Sequence, residues 1–124
     1  MRTILIVENE QQVRTMLSRA LEQAGFAVLA AGSASQAISL SRSHPGAVDL
    51  LLSATQMLDM DGATLARELR RTDPELPVIL MSGGGDPLMH VVARPARFLS
   101  KPFSIGSLAE MARSMVDPSD HAGA

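Results

Sequence analysis

The sequence has no cysteine, no tryptophan and no tyrosine, and its only aromatic residues are Phe26, Phe98 and Phe103. Without cysteine the chain can form neither disulfides nor thiolate metal sites. Three phenylalanines are too few for a platform that stacks single-stranded nucleic acid. Lysine is almost absent as well, since Lys101 is the only one, and the arginines are scattered in a chain of net charge −2. We therefore expect no nucleic-acid binding by this chain itself.

Long hydrophobic runs are also missing near the N-terminus. The apolar segment Ile4–Val7 is too short for a signal-peptide core or a membrane span, so we expect a cytoplasmic protein with no membrane contact. With 124 residues, 46% of them hydrophobic, the chain fits one globular domain. We assign this domain to residues 1–117 and regard the small, polar stretch 118–124 as a disordered tail or the start of a linker.

Strand and helix patterns alternate along the domain. Helices are indicated by an apolar stripe ending before Gly25 and by capping residues at Ser33, Asp61 and Ser104. The predicted strands are Thr3–Val7, Phe26–Ala30, Val48–Ser53, Pro77–Met81 and Arg97–Ser100. Five such units predict a flavodoxin-like (βα)5 three-layer α/β sandwich, with a parallel five-stranded sheet in the order 2-1-3-4-5.

The fourth helix is expected to be short. Three glycines from Gly83 to Gly85, together with Pro87 and Pro95, leave room for only a turn or two between Asp86 and Val92.

Ligands of such sheets bind at the carboxyl ends of the strands, near the point where the strand order reverses. Glu8 and Asn9 follow the first strand, Ala54 follows the third, Ser82 the fourth and Lys101 the fifth. These five residues are the candidate pocket.

The segments around these positions resemble the CheY-like receiver domain of bacterial two-component response regulators. The blocks that carry the resemblance appear in the family's order and are Ile4–Glu10, Asp49–Gly62, Pro77–Gly83 and Phe98–Phe103. The resemblance implies a signalling module that is not an enzyme and that works with protein partners, namely a histidine kinase or an effector or regulator protein. The sequence leaves open whether the chain forms a homodimer.

The resemblance also implies roles for single residues. Ser82 takes the place of the switch hydroxyl and Phe98 that of the switch aromatic. Gln56 adds to the pocket, and the Lys101–Pro102 peptide bond is expected to be cis.

Two departures from the family pattern affect its chemistry. The phosphoacceptor aspartate falls on Ala54, whose methyl group offers no nucleophile. The main metal-binding acid falls on Asn9, which leaves Glu8 and Asn9 as a vestigial site. We therefore expect no cofactor, weak or absent Mg²⁺ binding and no phosphorylation at Ala54.

Simpler interpretations exist for each candidate. Asn9, with Gln12 three residues later, has the spacing of a helix N-cap, and we favour that role. Phe98 is expected to serve packing more than switching. For Glu8, Ser82 and Lys101 the simpler interpretations are a loop carboxylate, a strand-end hydroxyl and a surface lysine. The place of Lys101 before Pro102 at the carboxyl end of a strand favours a site position instead. Charge balance suggests instead the hypothesis that Glu8 pairs directly with Lys101, because a buried ammonium without a partner is costly.

The sequence thus predicts a degenerate receiver, or pseudo-receiver, that acts by phosphorylation-independent protein–protein interaction. The alternative is a phosphoaccepting receiver, including the C-terminal receiver of a hybrid sensor histidine kinase. It would have its site relocated to Thr55, Asp59 or Asp61, or carry an engineered Ala54 in an active parent. A flavin-binding protein is disfavoured, because the loop from Glu8 to Gln12 has no small residue to cradle a phosphate and its glutamates would repel one.

Overall fold

The structure, a computed structural model, describes residues 1–82 and 92–117. Five parallel strands form one sheet in the order β2-β1-β3-β4-β5, as predicted. The strands are β1 (Thr3–Val7), β2 (Ala27–Ala31), β3 (Leu50–Ala54), β4 (Val78–Ser82) and β5 (Ala96–Ser100). Every residue of β1, β3 and β4 is buried, which explains why these segments are continuous apolar runs.

Four helices lie within the described residues: α1 (Gln11–Gln23), α2 (Ala34–Ser43), α3 (Gly62–Leu69) and α4 (Ile105–Val116). Three of them begin at the predicted caps. The side chains of Ser33, Asp61 and Ser104 each accept a hydrogen bond from the backbone N–H three residues later. After α1 the chain turns at Gly25, whose φ of 101° lies in the left-handed region that favours glycine.

The expected N-cap role of Asn9 is wrong. The N-cap residue of α1 is Glu10, and its side chain makes no capping bond. The first intrahelical bond runs from the N–H of Arg14 to the carbonyl oxygen of Glu10. Asn9 therefore lies one residue outside the helix, where it is exposed.

Alternate residues of the strands supply two separate cores. On one face of the sheet, Leu5, Leu51 and Leu80 pack with α2 and α3. On the other face, Ile6 and Leu52 pack with α1 and α4. The helices thus form one layer on each side of the sheet, which completes the predicted three-layer sandwich.

Two predictions concern segments that the description does not include. Of the short helix expected between Asp86 and Val92, only Val92 belongs to the described residues, and the whole of the expected tail at 118–124 lies outside them. Across the described ranges, no helix is both long and apolar enough to span a membrane.

Candidate functional site

The sheet gathers the predicted pocket residues at the carboxyl ends of its strands. Glu8 directly follows β1, Ala54 ends β3, Ser82 ends β4 and Lys101 directly follows β5. The backbone N–H of Lys101 donates to the carbonyl oxygen of Ser82 at 2.7 Å. Because parallel strands present these ends at one edge, residues far apart in sequence share one site.

Glu8 is the buried charge of this site. The residue is only 2% exposed, and its Oε1 lies 4.0 Å from the Nζ of Lys101. Its second oxygen, Oε2, is shielded from solvent and has no hydrogen-bond partner among the described residues. The Lys101 side chain is 42% exposed, so its ammonium lies between the buried carboxylate and water. The structure therefore brings together the two charges that we expected to pair.

The backbone around Glu8 is held on both sides. Its N–H donates to the carbonyl oxygen of Ala31 at 3.1 Å, and its carbonyl oxygen accepts a bond of 2.7 Å from Nη1 of Arg14. The guanidinium passes close to Gly32, where a Cβ atom would lie 3.0 Å from the same nitrogen. Sequence reasoning missed Arg14, which lies in the first turn of α1, because no local pattern indicates that its side chain reaches back to the loop after β1.

Ala54 lies at the centre of the strand ends and is 6% exposed. The preceding residue, Ser53, is fully buried and donates from its hydroxyl to the carbonyl oxygen of Ala54 at 2.7 Å. The same hydroxyl lies 3.4 Å from the sulfur of Met57. Ser53 is therefore engaged within the core, consistent with the side-chain alternation of a strand.

The loop after β3 uses its acidic residues as helix caps. The Asp59 carboxylate accepts hydrogen bonds from the backbone N–H groups of Ser35 and Ala34 at the start of α2. These bonds lower the pKa of Asp59, with that from Ser35 contributing most. Asp61 caps α3, and the bond from the Thr64 backbone N–H lowers the pKa of Asp61. Both carboxylates already have backbone donors as partners.

The other predicted residues lie around this loop and the last strands. Gln56 is exposed and forms an isolated β-bridge with Asp61. Ser82 is buried, whereas Phe98 is half-buried and packs against the core beneath α2 and α3. The Lys101–Pro102 peptide bond is cis, and so is Arg94–Pro95, which the sequence did not suggest to us.

The donor set does not fit Mg²⁺. This ion prefers near-octahedral oxygen coordination built from carboxylates and water. Ala54 contributes no side-chain oxygen, Asn9 is exposed, and the Glu8 carboxylate faces an ammonium. Within the two described ranges, no group of three or more histidine, cysteine, aspartate or glutamate side chains could hold a metal ion.

Comparisons with known proteins agree with the receiver-like fold and sequence blocks. A family model described as the response regulator receiver domain matches residues 4–113. The sensor kinase CckA of Brucella abortus is 38% identical over 121 residues, which cover 95% of this chain and 13% of the kinase. The receiver protein CpdR of the same organism is 31% identical over 119 residues, which cover 94% of this chain and 98% of CpdR.

Solved structures show the same fold. The crystal structure of the receiver domain of the hybrid histidine kinase CckA superposes with a TM-score of 0.78 at 32% identity, covering 92% of this chain and 98% of that domain. Vibrio cholerae CheY4 superposes with a TM-score of 0.82 at 22% identity, covering 93% and 98% of the two chains, and this likeness concerns the fold alone.

The chain belongs to the response regulator receiver domain family, whose members are signalling modules of two-component systems. It spans only a small part of some curated relatives, namely 13% of CckA and 24% of the regulator DctD of Rhizobium meliloti.

Proposed function

We propose that this chain is a degenerate receiver domain that acts by phosphorylation-independent protein–protein interaction. The observation that carries the proposal is the methyl side chain of Ala54 at the centre of the strand ends. Receiver domains transfer a phosphoryl group to an aspartate at the corresponding position. Alanine has no atom that can attack phosphorus, so the family reaction has no acceptor there.

The neighbouring residues support the absence of a relocated acceptor. Asp59 and Asp61 each accept bonds from a helix N-terminus, and moving either towards the pocket would leave backbone donors unpaired. Phosphoryl transfer also needs positive charge around the phosphoryl oxygens. The ammonium of Lys101 lies beside Glu8, and the pocket has no donor set suited to Mg²⁺.

The partner we propose is another protein of the signalling pathway, either a histidine kinase or an effector or regulator. The similarity to CckA favours a second candidate function, in which the chain is the receiver segment of a larger hybrid sensor kinase. The similarity to CpdR over nearly its full length is equally compatible with a separate receiver protein.

The test is an intact-mass spectrum after incubation with Mg²⁺ and acetyl phosphate, with the reaction quenched in acid. We expect no phosphoryl adduct on the wild-type chain. A receiver domain that accepts phosphate from acetyl phosphate, treated in parallel, shows that the donor is active.

A double variant, Asn9→Asp with Ala54→Asp, restores both missing carboxylates and serves as the matched comparison. We expect it to acquire one phosphoryl group, because the two substitutions supply the missing nucleophile and a second metal-binding carboxylate beside Glu8. A stoichiometric adduct on the wild-type chain would refute the proposal, and peptide mapping would then locate the acceptor.

A further inference from the structure

We propose that the ammonium of Lys101 is the resident countercation of Glu8, in the place where the family's chemistry calls for a divalent metal ion. The inference concerns how the pocket is held together, and thermal unfolding tests it separately from phosphoryl transfer. It rests on the burial of Glu8, the position of Lys101 and the poor fit of the donor set to Mg²⁺.

The first step is the cost of burying Glu8. The residue is 2% exposed, and a buried carboxylate is stable only when a countercharge or several hydrogen bonds compensate its lost hydration. Arg14 does not provide this, because its Nη1 donates to the backbone carbonyl oxygen of Glu8. Among the described residues, Lys101 is the one basic group within ion-pair distance of the carboxylate, at 4.0 Å.

The second step is access. Oε2 of Glu8 is closed off from solvent, so an ion arriving with its water shell has no path to that oxygen. Oε1 is the oxygen on the side of Lys101. Mg²⁺ gives up its water ligands reluctantly, and it would have to displace an ammonium to gain a single carboxylate. The ion pair therefore compensates Glu8, and among the described residues Lys101 occupies the side of the carboxylate on which Oε1 lies.

The third step concerns what the pair joins. Glu8 follows β1 and Lys101 follows β5, and these strands are not neighbours in the sheet. A metal ion bound by carboxylates of two loops would likewise link the carboxyl ends of the strands. Here two side chains of the chain itself make that connection, and its strength does not depend on the metal concentration.

The experiment is a double-mutant cycle with Glu8→Gln and Lys101→Met, which keep most of each side chain's volume. Thermal unfolding is measured for the four proteins in MgCl2 and in NaCl of matched ionic strength. We expect each single variant to unfold roughly 4 to 10 °C below the wild type, for a pair that is partly exposed. The melting temperature of the double variant should fall by clearly less than the sum of the two single decreases. Mg²⁺ should not shift the melting temperature of the wild type.

The proposal would be overturned if the decreases in melting temperature of the two single variants added up in the double variant. It would also be overturned if the melting temperature of the wild type rose in MgCl2 and not in NaCl. A second measurement needs no variant. Mn²⁺ is added to the ¹⁵N-labelled wild-type chain, and we expect the amide signals of Glu8, Asn9 and Thr55 to stay sharp. Selective broadening of these signals would show that a divalent ion binds beside Glu8 despite Lys101.

Discussion

Gly62 packs so closely against Ala54 that a Cβ atom at Gly62 would lie 2.5 Å from the carbonyl oxygen of Ala54. The same Cβ atom would lie 2.9 Å from Cδ2 of Leu80. Gly62 begins α3, and its N–H donates to the carbonyl oxygen of Thr55 at 2.9 Å. The start of this helix is therefore fixed against the end of β3, which carries the central residue of the site.

Substituting Gly62→Ala should lower the free energy of unfolding by roughly 1–3 kcal/mol, because the added methyl group overlaps a backbone atom that cannot move independently. Gly106→Ala is the matched control, since Gly106 also lies in the first turn of a helix but has no atom nearer than 4.0 Å to the new methyl group. That control should be neutral or stabilising by up to about 1 kcal/mol. Urea denaturation measures both, and equal effects would contradict the close approach.

Arg70 should be the most important surface arginine for stability. Its guanidinium donates to the backbone carbonyl oxygens of Leu76, Ala93 and Pro95, and so connects the end of α3 to the segments that enter β4 and β5. Arg70→Met should lower the free energy of unfolding by roughly 2 kcal/mol, because the carbonyl groups lose a charged donor. Arg71→Met is the control. The Arg71 side chain is 75% exposed and, within the described part of the chain, pairs only with Glu68, so its loss should cost under about 0.5 kcal/mol.

Arg14 offers a similar comparison within one helix. It donates to the carbonyl oxygen of Glu8, and Arg14→Met should lower the free energy of unfolding by about 1–2 kcal/mol. Arg19, on the exposed side of α1, is the control, and Arg19→Met should change stability by under about 0.5 kcal/mol. In ¹⁵N spectra, Arg14→Met should also shift the amide signal of Asn9. An unchanged Asn9 signal would mean that Arg14 does not hold the loop after β1.

The cap formed by Asp59 predicts a pH dependence. Its folded-state pKa is lowered from a reference value of 3.8 by the N–H donors at the start of α2. The carboxylate therefore stabilises the fold above the unfolded-state pKa, and this stabilisation is lost as the pH falls through the lower, folded-state value. Asp59→Asn keeps the shape and removes the charge, so it should lower the melting temperature at neutral pH. The difference should shrink as the pH falls below about 4. A difference that stays constant between neutral and acid pH would argue against the charged cap.

Much of the fold could be predicted because its signals are local. The continuous apolar strands, the left-handed Gly25 and the caps at Ser33, Asp61 and Ser104 each depend on a few adjacent residues. The strand order was predicted from the flavodoxin-like arrangement that five alternating strand and helix units favour.

The omissions come from contacts between distant parts of the chain, whereas the error at Asn9 concerns the residue at which a helix begins. Asn9 has the spacing of an N-cap, yet the helix begins one residue later than that spacing implies. The second cap of α2 comes from Asp59, more than twenty residues away in sequence. The carbonyl contacts of Arg70 likewise require the folded sheet. No local pattern indicates such partners, because tertiary packing selects them.

The contact between Glu8 and Lys101 also has a mechanical consequence. Neighbouring strands are joined by backbone hydrogen bonds, but this contact crosses over β3 and β4 to link β1 with the edge strand β5. It links the two strands at one end of the sheet. Separating β5 from the sheet therefore requires breaking this charge contact in addition to the backbone hydrogen bonds between β4 and β5. Breaking the contact between Glu8 and Lys101 therefore affects both the pocket and the attachment of β5 and α4 to the sheet. A partner that separates these two side chains weakens that attachment as well.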